Sequence, residues 1–375
     1  MRAGMNCLLD VLQGKVGAQS LSDVEWEQAF ELAEAEQVLP SFVSTLRRSG
    51  LPLSPSIEKR LCGAERQCAI AGFFWSAELR GLLKSFAEAA VPVLPLKGPS
   101  LALRAYGEAA FRSAKDLDLL VQRSDHAAAE SILLKIGFAP NRHADDYHRQ
   151  WSRGTTLVEL HFDLENPLAF DFKVETAWQR ASPGEFQGQP AWHFAAEDEL
   201  LFLALHGVRH RFERLSHVLD LALAFRAFAP NGSLAVPRAD VAPISRLLVL
   251  GAELANLLFP EEPMPIVPAD NRTKRKMDTL AKSLWQDLLC EPAGQLDWQT
   301  QHRFFVETEV CIGGRYWCRI KHMRILLTRT IEADHAFANR LGLMRHWQVA
   351  LLRPIRLLLR DLKQRRSKPR IRQAL

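Results

Sequence analysis

Apolar and polar residues recur along this chain with two different periods, and the change from one to the other marks its organisation. From the N-terminus to about residue 88 the period is helical. Ser22 and Glu25 form an S-x-x-E box that opens a helix. Trp26, Ala29, Phe30 and Ala33 then fall at i, i+3, i+4 and i+7, a single apolar face. Pro52 and Pro55 interrupt this pattern, and a long helix is expected from Ser56 to Ala89.

Near Val91 the period shortens. Val91 to Leu96 is an apolar run that reads as a strand, and Pro92 and Pro95 assign it to a sheet edge. Lys97-Gly98-Pro99-Ser100 is a turn, after which Leu101 to Tyr106 opens a helix that Gly107 ends. Asp116 to Val121 (DLDLLV) alternates polar with apolar and reads as a strand. Ser124 is placed to cap a helix running to about Ile136 and stopping at Gly137. Thr155 to Asp163 alternates again, a further strand. From Ala196 to about Phe228 the helical period returns, with Leu201, Leu205, Val208, Phe212, Leu215 and Leu219 on one side. On one continuous helix Glu199, His206, His210 and His217 would take the other side. Pro230 to Pro243 reads as a loop, Ile244 to Phe259 as a helix, Pro260 to Pro268 as a break, and the remainder as mostly helical.

Composition narrows the picture. The chain has 375 residues, 47% hydrophobic and 24% charged, which suits a globular protein of two or three modules. Its six cysteines, at 7, 62, 68, 290, 311 and 318, include no C-x-x-C pair and are expected as reduced thiols. The apolar stretch near the N-terminus contains Asp10 and lacks a small-residue cleavage site, so no signal peptide is expected. Ile244 to Phe259, broken by Arg246 and Glu253, is too short and too charged to span a bilayer. The expectation is a cytoplasmic protein. Charge is uneven. Residues 353–372 hold nine Lys or Arg against the single acid Asp361, a local +8 in a chain of net +5, so the rest carries −3.

Candidate chemistry concentrates between residues 97 and 161. Residues two apart on a strand share a face, so Asp116 and Asp118 project together. Paired carboxylates favour a cation between them, and hard oxygen donors suit Mg²⁺. Two acids on a strand are also a common solvated face. Upstream, Gly98 allows close approach of backbone to an anion, with Lys97 adding a charge and Ser100 a hydroxyl, unless this is an ordinary β-to-α turn. Glu159 and His161 share one face of the later strand. If that strand lies beside DLDLLV, Glu159 completes three carboxylates, a set that can hold two metal ions about 3.5–4 Å apart for displacement at phosphorus.

The order of strand, Gly-containing turn, helix, DLD and later strand-borne Glu resembles the nucleotidyltransferase superfamily of DNA polymerase β. LPLKGPSLALRAYG, FRSAKDLDLLV, LVELHFDL and LFLALHGVRHRFERLSHVLDLA resemble more closely one bacterial nucleotidyltransferase branch, over about Trp26 to Leu223. The resemblance implies catalytic metal ligands at Asp116, Asp118 and Glu159, two Mg²⁺ ions, an NTP substrate, and phosphate contacts at Gly98 and Ser100. It names no acceptor, which could be a small molecule, a sugar, a peptide or a protein. Two positions depart from the superfamily pattern. Pro99, which has no N–H, stands between Gly98 and Ser100, and Glu159 replaces the commoner Asp.

The expected fold is α+β, a small mixed-sheet nucleotidyltransferase domain (89–195) between an N-terminal helical domain (1–88) and a C-terminal helical domain (196–350), with a basic tail (351–375). The expected reaction is transfer of NMP from NTP with release of pyrophosphate; phosphoryl transfer at the same site, or an inactive scaffold, are the rivals. Arg112 is a phosphate contact or a solvated loop cation. His161 is a neighbour of the metal ligands or a strand histidine bonded to backbone. His206, His210 and Arg214 cover the cleft and touch substrate, or His206 and His210, four residues apart, bind zinc, or the face, with His217, is merely solvated. The tail packs its Leu/Ile stripe on the body and ends freely, with contact to nucleic acid or an anionic membrane as the alternatives.

Overall fold

The computed structural model of the chain describes residues 2–15, 21–144, 147–164, 173–229, 245–264 and 269–293, with isolated positions beyond. One compact unit holds Met1–Pro167 and Phe172–Ala293, a second Leu168–Asp171 and Gly294–Leu375. The elements below belong to the first. The expected 230–243 loop, most of the C-terminal continuation and the basic tail lie outside the described residues, isolated positions excepted.

Four helices open the chain: α1 (Met5–Leu12), α2 (Asp23–Ala35), α3 (Leu39–Ser49) and α4 (Pro55–Glu88). The capping box at α2 forms as expected: Ser22 accepts from the Glu25 N–H and the Glu25 carboxylate accepts from the Ser22 N–H. Pro55 begins α4 rather than ending a loop, because the first helical position needs no N–H donor, and the Ser54 hydroxyl caps it.

A five-stranded mixed sheet follows. Its strands are β1 (Leu94–Pro95), β2 (Leu117–Leu120), β3 (Ala139–Ala144), β4 (His148–Arg153) and β5 (Thr156–His161), in the order β1-β2-β5-β4-β3. Only β2 and β5 run parallel. β1 lies at the sheet edge, as expected, but spans two residues rather than the whole Val91–Leu96 run. Between β1 and β2 the short helix α5 (Gly98–Leu101) runs into a π-helical turn, Ala102–Tyr106, which Gly107 ends at φ +85°. The helix expected to be capped by Ser124 is α6 (His126–Lys135). Ser124 instead lies inside a 3₁₀ turn, Arg123–Asp125, and makes no cap bond.

Alternation gives the sheet two faces. Leu117, Leu119, Val158, Leu160 and Trp151 point into a core closed by Leu79, Leu83 and Phe86 of α4 and by Ile132 and Leu133 of α6. Each such side chain contributes about 1.5–3 kcal/mol of burial. The opposite face carries the polar residues. The β3–β4 hairpin was not expected from the sequence, nor was a second, two-stranded sheet of β6 (Ser182–Phe186) and β7 (Gln189–His193) after α7 (Val174–Arg180).

The single helix expected over 196–228 is two. Helix α8 (Ala196–Arg209) ends where Arg211 and Phe212 take left-handed φ of 53° and 50°, and α9 (Leu215–Phe228) starts after the reversal. The cause is a contact. Phe212 folds back onto Gly207 so closely that a Cβ there would sit 2.2 Å from its ring. Helices α10 (Ser245–Leu258) and α11 (Asn271–Cys290) pack behind this pair.

Candidate active site

Sheet register builds the floor of the site. Asp118 on β2 lies opposite Glu159 on β5, and Glu159 opposite Gln150 on β4, so the three polar groups form one row across the strands. His161, two residues beyond Glu159, lies opposite His148. Asp116 precedes β2 by one residue and stands at the mouth, half-buried, whereas Asp118 is 5% exposed.

These groups are tightly engaged. His161 Nε2 lies 3.2 Å from Asp118 Oδ1 and 3.5 Å from Glu159 Oε2. Lys97 Nζ lies 3.1 Å from Asp118 Oδ2. Gln150 Nε2 donates to Glu159 Oε1 at 2.9 Å, and His148 Nε2 stands 3.7 Å from the same oxygen. Burial would raise the Asp118 carboxyl, but the Lys97 ammonium and the His161 hydrogen bond outweigh it and hold the group well below the usual carboxylate range. Glu159 is lowered in the same way, His161 and His148 overcoming burial and the Asp118 charge. Asp116 moves the other way. Burial and the Asp118 charge push it up to about 6. Burial would lower the His161 imidazole, but its bonds to the two carboxylates raise it.

Donor atoms of Asp118, Glu159 and His161 all lie within 4.8 Å of one another, the one group among the described residues able to converge on a metal ion in this way. Two carboxylates and an imidazole fit a divalent cation, with Asp116 nearby. The set expected from the sequence, Asp116 with Asp118 and Glu159, therefore differs from the converging set in one member.

The floor opens into a cleft of about 290 Å³, near the lower end of typical ligand pockets, roughly 300–1,000 Å³. Lys97, Arg112, Arg209, His206, His210, His217 and Arg214 line it. The α8–α9 reversal makes the far wall: it brings His217 beside His206 and His210, with ring centroids 4.7–5.5 Å apart. Burial and nearby cations, Lys97 in every case with Arg209 acting on His206 and His210 and Arg214 on His210 and His217, hold all three imidazoles far below their ordinary range, His210 at about 3. His210 Nε2 accepts from the Arg209 guanidinium, whose Nη1 donates to the Tyr147 hydroxyl at 3.0 Å. The start of α9 is fixed from below, where buried Glu36 accepts from the Leu215 N–H at 2.7 Å and Arg214 donates to the Ala35 carbonyl.

Other expected residues are placed differently. Arg112 lines the cleft, but its Nε and Nη2 make a two-point pair with Asp220 at 2.7 and 2.8 Å, and Tyr106 donates to the same carboxylate. Gly98 and Ser100 lie behind the lining. Gly98 has φ +60°, a conformation that favours glycine, and Ser100 is buried with its hydroxyl unpartnered. The sequence reading missed Gln37, which joins the lining from the end of α2, and His148, Gln150 and Tyr147. Alternation in His148-Arg-Gln150 was the available signal for β4.

A mixed sheet carrying Asp118 and Glu159 in register on its parallel pair, with a converging metal-capable triad, defines a nucleotidyltransferase-type catalytic fold. The chain belongs to the family described as uncharacterised nucleotidyltransferase, whose profile matches residues 22–260. No curated protein sequence matches it. Among solved structures it is similar to the antibiotic-resistance factor ANT(2'')-Ia in complex with adenylyl-2''-tobramycin, at 16% identity and TM-score 0.33, covering 47% of this chain and 95% of that one. It is also similar to an antigenic nucleotidyltransferase-like protein from Paracoccidioides brasiliensis, at 18% identity and TM-score 0.34, covering 56% and 92%. Among the described residues no helix is long and apolar enough to cross a membrane.

Proposed function

We propose that this protein is a divalent-metal-dependent nucleotidyltransferase that moves NMP from an NTP, with Mg²⁺ as one ion able to serve, to a hydroxyl, phosphate or amine of an acceptor. The observation that carries the reading is the in-register Asp118–Glu159 pair, with Asp116 at the mouth, facing a cleft whose opposite wall is cationic. A bound divalent ion supplies charge neutralisation on the phosphates and a lowered pKa for the attacking group. Asp118 and Glu159 would hold that ion. Lys97, at the boundary between floor and wall, meets phosphate oxygens as a point charge. Arg209 and Arg214 add positive potential along the path of the triphosphate, while neutral His206 and His210 present ring faces and hydrogen-bonding nitrogens to base, ribose or acceptor. Arg112, held by Asp220, adds charge without being free to move. The bond from the acceptor atom to the α-phosphorus forms as the bond to the β-phosphate oxygen breaks, pyrophosphate leaves, and a hydroxyl or amine acceptor gives up its proton to water.

The test is product analysis of the full chain with Mg²⁺ and each α-labelled NTP. Pyrophosphate as product supports nucleotidyl transfer, and a nucleoside diphosphate would show phosphoryl transfer instead. Asp118→Asn should abolish turnover with the fold retained, since the amide keeps the shape of the side chain and loses the charge that would hold the ion and that pairs with Lys97. No Mg²⁺-dependent rise in Tm with any NTP, and no turnover, would mark the protein as a scaffold.

A further inference from the structure

We propose that His161 is itself a metal ligand beside Asp118 and Glu159, and that this position selects a first-row transition ion such as Mn²⁺ over Mg²⁺. The inference rests on the nucleotidyltransferase reading for the presence of a metal. It adds the third donor and the consequence for ion choice.

Distances fit a coordination sphere. Neighbouring ligands around an octahedral ion at about 2.1–2.2 Å lie roughly 3 Å apart. His161 Nε2 is 3.2 Å from Asp118 Oδ1 and 3.5 Å from Glu159 Oε2. These three atoms belong to a group whose donors all lie within 4.8 Å, and Asp116 is outside that group. The imidazole is not a side chain passing through. It is 3% exposed, its backbone is fixed between β4 and β2, and its ring stacks on His148 at 5.0 Å and 23°. With its Nε2 aimed between two carboxylates, the ring occupies the direction from which a third oxygen ligand would come.

Donor chemistry then sets the ion. Mg²⁺ is hard, takes oxygen donors and keeps several waters, whereas imidazole nitrogen suits first-row transition ions. Exchanging one of three oxygens for nitrogen weakens the site for Mg²⁺ and strengthens it for Mn²⁺ and its neighbours. Lys97 pairs with Asp118 Oδ2 at 3.1 Å, whereas His161 meets Oδ1, so an ion bound at Oδ2 would compete with the ammonium.

The experiment titrates the full chain, without nucleotide, with MnCl₂ and MgCl₂. Mn²⁺ is followed by loss of the EPR signal of the free aqua ion, and Mg²⁺ by competition. Mn²⁺ should bind at least roughly tenfold more tightly. Pulsed EPR of the Mn²⁺-loaded wild type should show nitrogen hyperfine coupling from a directly bonded imidazole. His161→Asp, which restores an all-oxygen set, should lose that coupling and most of the preference. Bound Mn²⁺ without nitrogen coupling would overturn the assignment, and so would coupling that survives in His161→Asp. The wild-type spectrum stands alone should that variant fail to fold. If Mg²⁺-dependent pyrophosphate release persists without nitrogen coupling, the ligand assignment falls and the proposed reaction stands. If neither ion binds and no pyrophosphate appears, both fall.

Discussion

Lys97→Met separates two roles that the site places on one ammonium. Lys97 Nζ is 3.1 Å from Asp118 Oδ2, with side-chain exposures of 11% and 3%. At an effective dielectric of about 20 that pair attracts by roughly 5 kcal/mol before desolvation. Breaking a buried pair from one side costs about 3–5 kcal/mol. His161 still holds the other oxygen of Asp118, so about 2–3 kcal/mol is expected here, a fall in metal-free Tm of about 4–12 °C at 2–4 °C per kcal/mol. Methionine keeps the stem and its packing, so the loss is electrostatic. Divalent-ion affinity should rise about tenfold, since no ammonium has to be displaced, which is about 1.4 kcal/mol. Nucleotide affinity should fall by about 1.5–3 kcal/mol as a charged phosphate donor disappears. Thermal shift, metal titration and nucleotide titration on the same variant give three signs: down, up, down. Metal affinity that is unchanged or lower would refute the competition between Lys97 and the ion.

Gly207→Ala places a Cβ 2.2 Å from the Phe212 ring, so the ring must leave its buried seat at a cost of about 1.5–3 kcal/mol. Urea unfolding should show that loss, and nucleotide binding should weaken because the histidine wall rests on the same reversal. His210 is neutral in the folded chain down to about pH 3, whereas the unfolded chain protonates it below the ordinary imidazole value of 6.5. This group therefore costs stability as pH falls from the unfolded towards the folded pKa, by about 1.4 kcal/mol per pH unit. His210→Gln should flatten the stability–pH slope by about that amount between roughly pH 6 and pH 4, measured as the difference from wild type in urea midpoints.

What was legible in the sequence follows from where the determinants lie. β2 and β5 could be read because each buries one face, so Leu117, Leu119, Val158 and Leu160 alternate with the acids. The edge position of β1 followed from Pro92 and Pro95, but not its length of two residues. β4 could not be read with the same ease, because Trp151 is the one residue it contributes to that core, and β6 and β7 carry Pro183, Gly184 and Pro190, which read as turns. The break between α8 and α9 has no proline, and the glycine that causes it sits inside α8. It arises from Phe212 packing on Gly207, a contact between residues that a helical wheel puts far apart. The same limit applies to Arg112. Its local sequence suits a phosphate contact, and only the fold brings Asp220, 108 residues later, against it.

The seating of α9 on Glu36 bears on how small a working version of this protein can be. The row of acids is written within the sheet, but the wall facing it is carried by α8 and α9, and the first turn of α9 hangs on the carboxylate and carbonyl groups at the end of α2. Gln37, the next residue, reaches the cleft itself. An excised fragment limited to the strands would keep its acids and lose the cationic wall that is proposed to meet a triphosphate. Shortening from the N-terminus would do the same damage from the other side. The smallest competent piece therefore begins before residue 36 and extends past residue 220, so the economy of a minimal catalytic core is closed to this chain.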